Sequence, residues 1–454
     1  FIEVGGGESA HIAFDPDNPR LIYATTINGT LTELDVDTRR LREIKPYPEF
    51  VYGMDSKDLR YRTNWNAPVT ASPQDATVIY YGTHKLLRTK DRGVTFDEIS
   101  PDLTKDEEDK QGPNGGPITA ENVGAEFYGT ILTITASPHE YGTIWVGTDD
   151  GLVHVTRDDG ATWEDVTPGN LRGAMVNAID VSPHDPGTAY VTVTGYKLND
   201  NRPYIYKLTN YGGRSKRIDS DLPNDNFIRV VREDPVRKGL LYAGGEVHMY
   251  VSFDDGDHWQ SLGLNLPPVP ITDLAVRQGD LVAATQGRSF WILDDLSPLR
   301  QVRKDMADKP VHVFAPSAAE TISGSREETP KSEGENPPRG AILRYHIRDE
   351  HTGPLAIEIT DANGNIVRNY SSEQRDFERC IIGNMDQRLP FEVEYPPKEK
   401  GGNKWVWDLR RNGLHCIEDI RLFEGFGGAH VPPGTYHVRI SIGDTEDMTT
   451  VTVV

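Results

Sequence analysis

The stretch IWVGTDDGLVHVTRDDGATWEDVTP (residues 144–168) decides the fold. An apolar run rich in β-branched and aromatic residues, IWVGT, meets an Asp-Asp-Gly turn, and a second run, VHVT, follows at once, which reads as a tight β-hairpin. The hairpin then runs into TRDDGATW (156–163), an Asp-box of the form Ser/Thr-x-Asp-x-Gly-x-x-Trp. In such a turn the Asp accepts hydrogen bonds from the turn's own backbone, the Gly supplies a positive φ, and the aromatic is expected to pack into the next blade.

Outward from this stretch the same grammar repeats with a period of about 40 to 65 residues, the signature of a propeller or array. Each unit opens on a strand ending in Ser-Pro or Asp-Pro: Asp15-Pro16, Ser72-Pro73, Ser137-Pro138, Ser182-Pro183 and Asp234-Pro235. Second strands follow as LIYATT from Leu21, VIYYGT from Val78, TIWVGT from Thr143, TAYVTV from Thr188 and LLYAGG from Leu240. Further Asp-boxes are TKDRGVTF from Thr89 and SFDDGDHW from Ser252, with a decayed version, LTNYGGRS, from Leu208. Because an Asx-type turn occupies its own carboxylate, Asp91, Asp158 and Asp254 read as architectural and not catalytic.

The units give an all-β chain with an Asp-box β-propeller of six visible blades, at 8–43, 60–99, 127–166, 175–219, 226–262 and 271–300. A seventh blade is expected if the opening FIEVG pairs with VHVFAP (311–316); otherwise the chain is part of a larger propeller. The opening has neither an initiator Met nor a signal-peptide pattern, which reads as a processed or truncated start. Residues 316–340 are a polar linker rich in Ser, Glu, Pro and Gly. From 341 to 454 alternation returns in AILRYHI, LAIEITD, NIVRNY, KWVWDLR, PPGTYHVRISI and TTVTVV, enough strands for a small immunoglobulin-like β-sandwich. The propeller is thus expected over 1–315.

Composition agrees. Forty-three Gly, 31 Pro, 19 Tyr and 7 Trp among 454 residues, with 36% hydrophobic, describe many short strands joined by tight turns. A formal charge of −22 argues against nucleic acid, whose binding needs a basic face. No apolar run approaches a bilayer span. Cys380 and Cys416 form either one disulfide or two buried thiols.

The chain resembles bacterial Asp-box (BNR) repeat proteins related to sortilin-type receptor propellers, a set often labelled glycosyl hydrolase. The phrases that carry the resemblance are NWNAPV (64–69), DRGVTFDEISPDLT (91–104), GGPITAENVGAEFYGTI (115–131), the opening stretch, and GRSFWILDDL (287–296). KWVWDLR and PPGTYHVRI look like the immunoglobulin-like modules that end many secreted bacterial proteins. The resemblance implies a secreted, periplasmic or cell-surface location and a large ligand-binding propeller, and hands over no catalytic residues. Members of that set carry further blades upstream of those seen here, so a further propeller segment or partner chain is a second expectation.

Two loop sets should meet on one face. Loops preceding innermost strands bring Arg62, Asn64, Trp65 and Asn66, then Glu121, Asn122, Glu126 and Tyr128, then Asn226; turns after second strands bring His84, Asp149 and Asp150, Glu246 and Arg288. Acids, amides, cations and aromatics around one mouth suit a sugar, whose hydroxyls want polar partners and whose CH faces want aromatic rings. Glu126, Asp149, Asp150 and Glu121 are the candidate acid and base of a glycosidase; alternatively the glutamates brace their loop and Asp149-Asp150-Gly151 is simply a turn. Arg288 serves the mouth or pairs with Asp294 or Asp295.

The Arg-Ile-Pro opening of sialidases is absent, and no His-x-x-x-His or Cys-x-x-Cys suggests zinc. No cofactor is expected; a structural calcium on loop 15–18 is compatible with its oxygen ligands. The leading reading is a secreted binding propeller that captures peptide, protein or glycan. The alternatives are a glycan-active hydrolase and a segment of a structural cell-envelope assembly.

Overall fold

The computed structural model describes residues 3–5, 7–8, 11–15, 18–115, 122–123, 127–169, 171, 173–321, 334, 336–373, 381–382, 394–413, 421–422 and 427–454. They divide into two compact units: residues up to Arg277 with Leu281–Ile292, and Gln278–Asp280 with Leu293–Val454.

The first unit is a β-propeller of successive antiparallel sheets: five of four strands, at 12–43, 69–98, 131–165, 175–217 and 228–261, and one of three at 271–293. Within a blade the chain moves outward strand by strand. The third runs Ile131–Ala136, Ile144–Thr148, Val153–Thr156 and Glu164–Asp165, each paired to the one before. The innermost strand mixes buried and part-buried residues, whereas all five residues of Ile144–Thr148 are buried, because neighbouring sheets cover both faces of a second strand.

The Gly that closes second strands has a packing cause. A Cβ on Gly82, Gly147 or Gly244 would lie 3.0 Å from Ile131, 2.4 Å from Val176 or 2.6 Å from Ile271, each on the next blade's innermost strand. Where the first and fourth blades carry Thr instead, its hydroxyl donates across the same gap: Thr25 to the Ala67 carbonyl and Thr192 to the Arg229 carbonyl, both at 2.8 Å.

The outer turns fasten the other edge. Asp158 accepts the Thr156 hydroxyl at 2.8 Å, the Thr162 amide at 2.8 Å and the Thr162 hydroxyl at 2.6 Å. Asp91 and Asp254 do the same in their turns, and the Thr95 donors hold Asp91 down to about 2. The aromatic, however, packs on the preceding blade, not the next: Trp163 Nε1 donates to the Ile99 carbonyl at 2.9 Å and Trp259 Nε1 to the Ile218 carbonyl at 2.6 Å. The residue before each turn's Gly adds a charge latch to that same blade, Arg92 to Glu33, Asp159 to Arg88 and Asp255 to Lys207. In the decayed turn Tyr211 substitutes, donating to Glu140 at 2.9 Å under the Arg157 guanidinium.

The second unit is a two-sheet sandwich. One sheet orders Val311–Val313, Ala341–Ile347 and Gly401–Trp407; the other orders Ile366–Ser371, Leu355–Thr360, Gly434–Ile442 and Thr445–Val453. Their alternating apolar residues share one core, including Leu343, Ile357, Trp407 and Val438. Asp361 caps the turn between Leu355–Thr360 and Ile366–Ser371 by accepting the Asn363 and Asn365 amides, both at 2.9 Å.

The expected seventh-blade pairing is overturned. Val311 lies opposite Ile347 in the sandwich, where Val311 and Val313 bury their side chains; residues 1 and 2 lie outside the described residues. The start of the expected linker is likewise attached, with the Thr321 amide donating to the Val454 carbonyl at 3.0 Å. Cys380 and Cys416 lie outside the described residues.

Candidate functional site

The two loop sets do meet, blade by blade. The Arg62 amide donates to His84 Nδ1 at 3.2 Å, and the Asp149, Glu246 and Gln286 amides donate to the Thr130, Phe227 and Pro270 carbonyls at 3.0, 3.1 and 2.9 Å. In these four blades the turn after the second strand is thereby pinned to the segment that leads into the innermost strand.

On this face of the second to fourth blades a cleft of about 490 Å³ is lined by Asn64, Trp65, Asn66, Tyr128 and Asp149 from the expected set. Met175, Thr194, Lys197 and Leu198 complete it, and sequence reasoning missed them. Their signal was loop length: the fourth blade connects its second and third strands, Ala189–Thr194 and Ile205–Thr209, through a short helical turn at Tyr196–Leu198. Long connections on a rigid scaffold are where binding residues concentrate. Trp65 is 36% exposed, and neither its indole N–H nor the Lys197 ammonium has a side-chain partner among the described residues.

Asp149 forms the cleft's inner wall and is almost fully buried. Its Oδ1 accepts the Gly129 and Thr130 amides at 3.1 and 2.8 Å, and its Oδ2 accepts the Thr130 hydroxyl at 2.9 Å and Asn64 Nδ2 at 3.4 Å. Burial outweighs these donors and raises its pKa to about 6. Asn64 is fixed in turn, since its Oδ1 accepts the Asn66 amide at 3.1 Å. Tyr128 presents its ring to the cleft while its hydroxyl donates to Glu107 at 2.7 Å.

Asp150 does not border the cleft. It is fully buried, accepts the Lys105 amide at 2.7 Å and the Thr148 hydroxyl, and lines no part of the cleft. Of the two adjacent carboxylates offered as partners to Glu126, only Asp149 borders the cleft. Glu121 and Glu126 lie outside the described residues.

The remaining expected residues stand elsewhere. Buried Arg62 donates to the Gly129 carbonyl and to Asp102, at 3.2 and 2.7 Å. Burial, with Arg62 beside it, pushes His84 down to about 4, leaving a neutral ring. Glu246 accepts two bonds from Arg229, at 3.0 and 2.6 Å, and Arg229 also covers the Phe227 ring. Arg288 is exposed; Asp295, one of its expected partners, pairs with Arg344 at 3.2 Å. Asn122 and Asn226 are buried, the latter donating to the Tyr250 hydroxyl at 2.8 Å.

Among the described residues no cluster of three or more His, Cys, Asp or Glu is placed to hold a metal ion, and the calcium loop at 15–18 falls partly outside them. No helix among them is long and apolar enough to cross a membrane.

Fold and site together define a β-propeller carrying an aromatic, amide-lined cleft on the face where its loops converge. No family model matches the chain. Over 200 residues, 42% of its length, it is 26% identical to the oligoxyloglucan-reducing end-specific xyloglucanase of Emericella nidulans, and it spans 22% of that protein. Among solved structures it is similar to the GH74 xyloglucanase from Xanthomonas campestris, with 18% identity and a TM-score of 0.46 over 63% of this chain and 44% of that one. It is also similar to YCF48 bound to D1 peptide, with 12% identity and a TM-score of 0.42 over 65% of this chain and 80% of that one.

Proposed function

We propose that the propeller is a glycan-binding module of the Asp-box class, working outside the cell or at its surface, and that its ligand is a neutral polysaccharide of the xyloglucan type held in the Trp65 cleft. The observation that carries this reading is the pairing of a part-exposed indole, without a hydrogen-bond partner among the described residues, with the fixed Asn64 amide. Trp65 offers a stacking face, Asn64 Oδ1 keeps a lone pair for a sugar hydroxyl, and Tyr128 adds a second ring. The ligand class rests on the sequence relative whose name gives it oligoxyloglucan as substrate and the reducing end as its point of action.

Capture is favoured over cleavage by the carboxylates. Glycoside hydrolysis uses two of them flanking one bond, and among the described residues lining the cleft only Asp149 has one, with both oxygens already engaged. Hydrolysis remains the second reading because of the same relative, with Glu121 or Glu126 as partner to Asp149. Incubation with xyloglucan separates the two: capture predicts retention on the polysaccharide with no new reducing ends. Release of oligosaccharides that ceases in Glu126→Gln would overturn capture in favour of the enzyme.

A further inference from the structure

A second groove of about 490 Å³ opens on the fourth blade, and Ala174 and Leu198 line both it and the Trp65 cleft. We infer that this groove is a second binding site for the same glycan chain, which passes over Leu198 from the Trp65 cleft onto Tyr204 and Tyr206; the inference rests on the glycan reading above.

The groove has the chemistry of a sugar site. Tyr204 and Tyr206 are two residues apart on an extended segment, so their rings share one face while Ile205 is buried on the other. Both rings are part-exposed, and the Tyr206 hydroxyl has no partner among the described residues. Arg217 and Arg202 lie 4.5 and 5.6 Å from the Tyr204 ring centre and the Tyr204 hydroxyl donates to Asp200 at 2.7 Å, so that ring is held in place and Tyr206 carries the open stacking surface. Leu171 and Val193 supply an apolar lining.

The charges point to an uncharged ligand. Arg202 donates to both oxygens of Asp200, at 2.9 and 2.7 Å, and Arg217 is paired with Asp219 at 2.9 Å. Each cation in the groove is neutralised by an acid of the same blade, leaving guanidinium and carboxylate edges for hydroxyls with no net field to attract an ion. Leu198, 54% exposed, forms the crossing between the two spaces and offers an apolar surface to a sugar's CH face.

Binding of xyloglucan and cello-oligosaccharides of stepped backbone length, followed by calorimetry, tests this. Affinity is expected to rise again once the chain is long enough to reach beyond Leu198. Tyr206→Ala should remove that second rise, about two- to tenfold in Kd, while leaving the shortest binders unchanged; Tyr206→Phe, which keeps the ring, should retain most of it. Arg217→Ala should give the same loss, with a thermal melt run beside it because the buried Asp219 loses its ion-pair partner. A length gain that survives Tyr206→Ala and Arg217→Ala, or no second rise in the unaltered protein, overturns the inference and leaves the Trp65 reading standing. Failure of every oligosaccharide to bind overturns both.

Discussion

Asp149 and Thr130 hold each other at three points: the carboxylate accepts the Thr130 amide and hydroxyl at 2.8 and 2.9 Å, and the Thr130 carbonyl accepts the Asp149 amide at 3.0 Å. This clasp joins the turn after one second strand to the start of its own blade and leaves one carboxylate edge facing Asn64. The folded protein holds the Asp149 proton more tightly than the unfolded chain does, with a pKa near 6 against an ordinary value near 3.8. Its contribution to stability is therefore fully present below about pH 4 and lost as pH rises through 6, a change on the order of 3 kcal/mol. Asp149→Asn should gain on the parent by roughly that amount between pH 4 and pH 7 in denaturant melts; a difference that stays flat with pH would contradict the assignment.

Gly147 has no room for a side chain, its Cβ position lying 2.4 Å from Val176 on the next blade and 2.8 Å from Thr133. Gly147→Ala is expected to cost about 1–3 kcal/mol through overpacking. Adding Val176→Ala should recover part of that loss, so the two changes together cost less than their sum. Strict additivity in chemical denaturation would show that the two blades do not meet there.

Trp259 donates its indole N–H to Ile218, reaching back to the fourth blade. Trp259→Phe leaves that carbonyl without its donor and should cost about 1–3 kcal/mol. Amide hydrogen exchange locates the effect: faster exchange is expected around Arg214–Arg217 on the preceding blade, and protection lost only in the sixth blade would contradict the direction of packing.

The blades were legible in the sequence because each turn motif has a local cause, a carboxylate closing on its own backbone at Asp91, Asp158 and Asp254. What such a motif lacks is direction. Nothing in TRDDGATW says whether Trp163 reaches the blade before or after it, and the answer depends on packing between sheets. The short apolar alternation VHV at Val311–Val313 fits either a propeller edge or a sandwich, and long-range pairing with Ala341–Ile347 decided it. At the site, loop positions placed Asn64, Trp65, Tyr128 and Asp149 on one face, and the four line one cleft. They also offered Asp150 beside Asp149 as a carboxylate to pair with Glu126, but Asp150 is fully buried against Lys105 and Thr148 and lines no part of the cleft. Lys197 and Leu198 were hidden because the fourth blade's long connection departs from the repeat that made the other turns readable.

The central claim, that the Trp65 cleft holds a neutral glycan, is tested most directly by calorimetric titration of xyloglucan oligosaccharides into the intact chain and into Trp65→Ala. Removing a stacking indole should weaken binding about tenfold or more, with thermal melting of Trp65→Ala checking that the fold is retained, since the indole is only 36% exposed. Equal binding by Trp65→Ala, or no heat of binding from the unaltered chain with any neutral glycan, would contradict it.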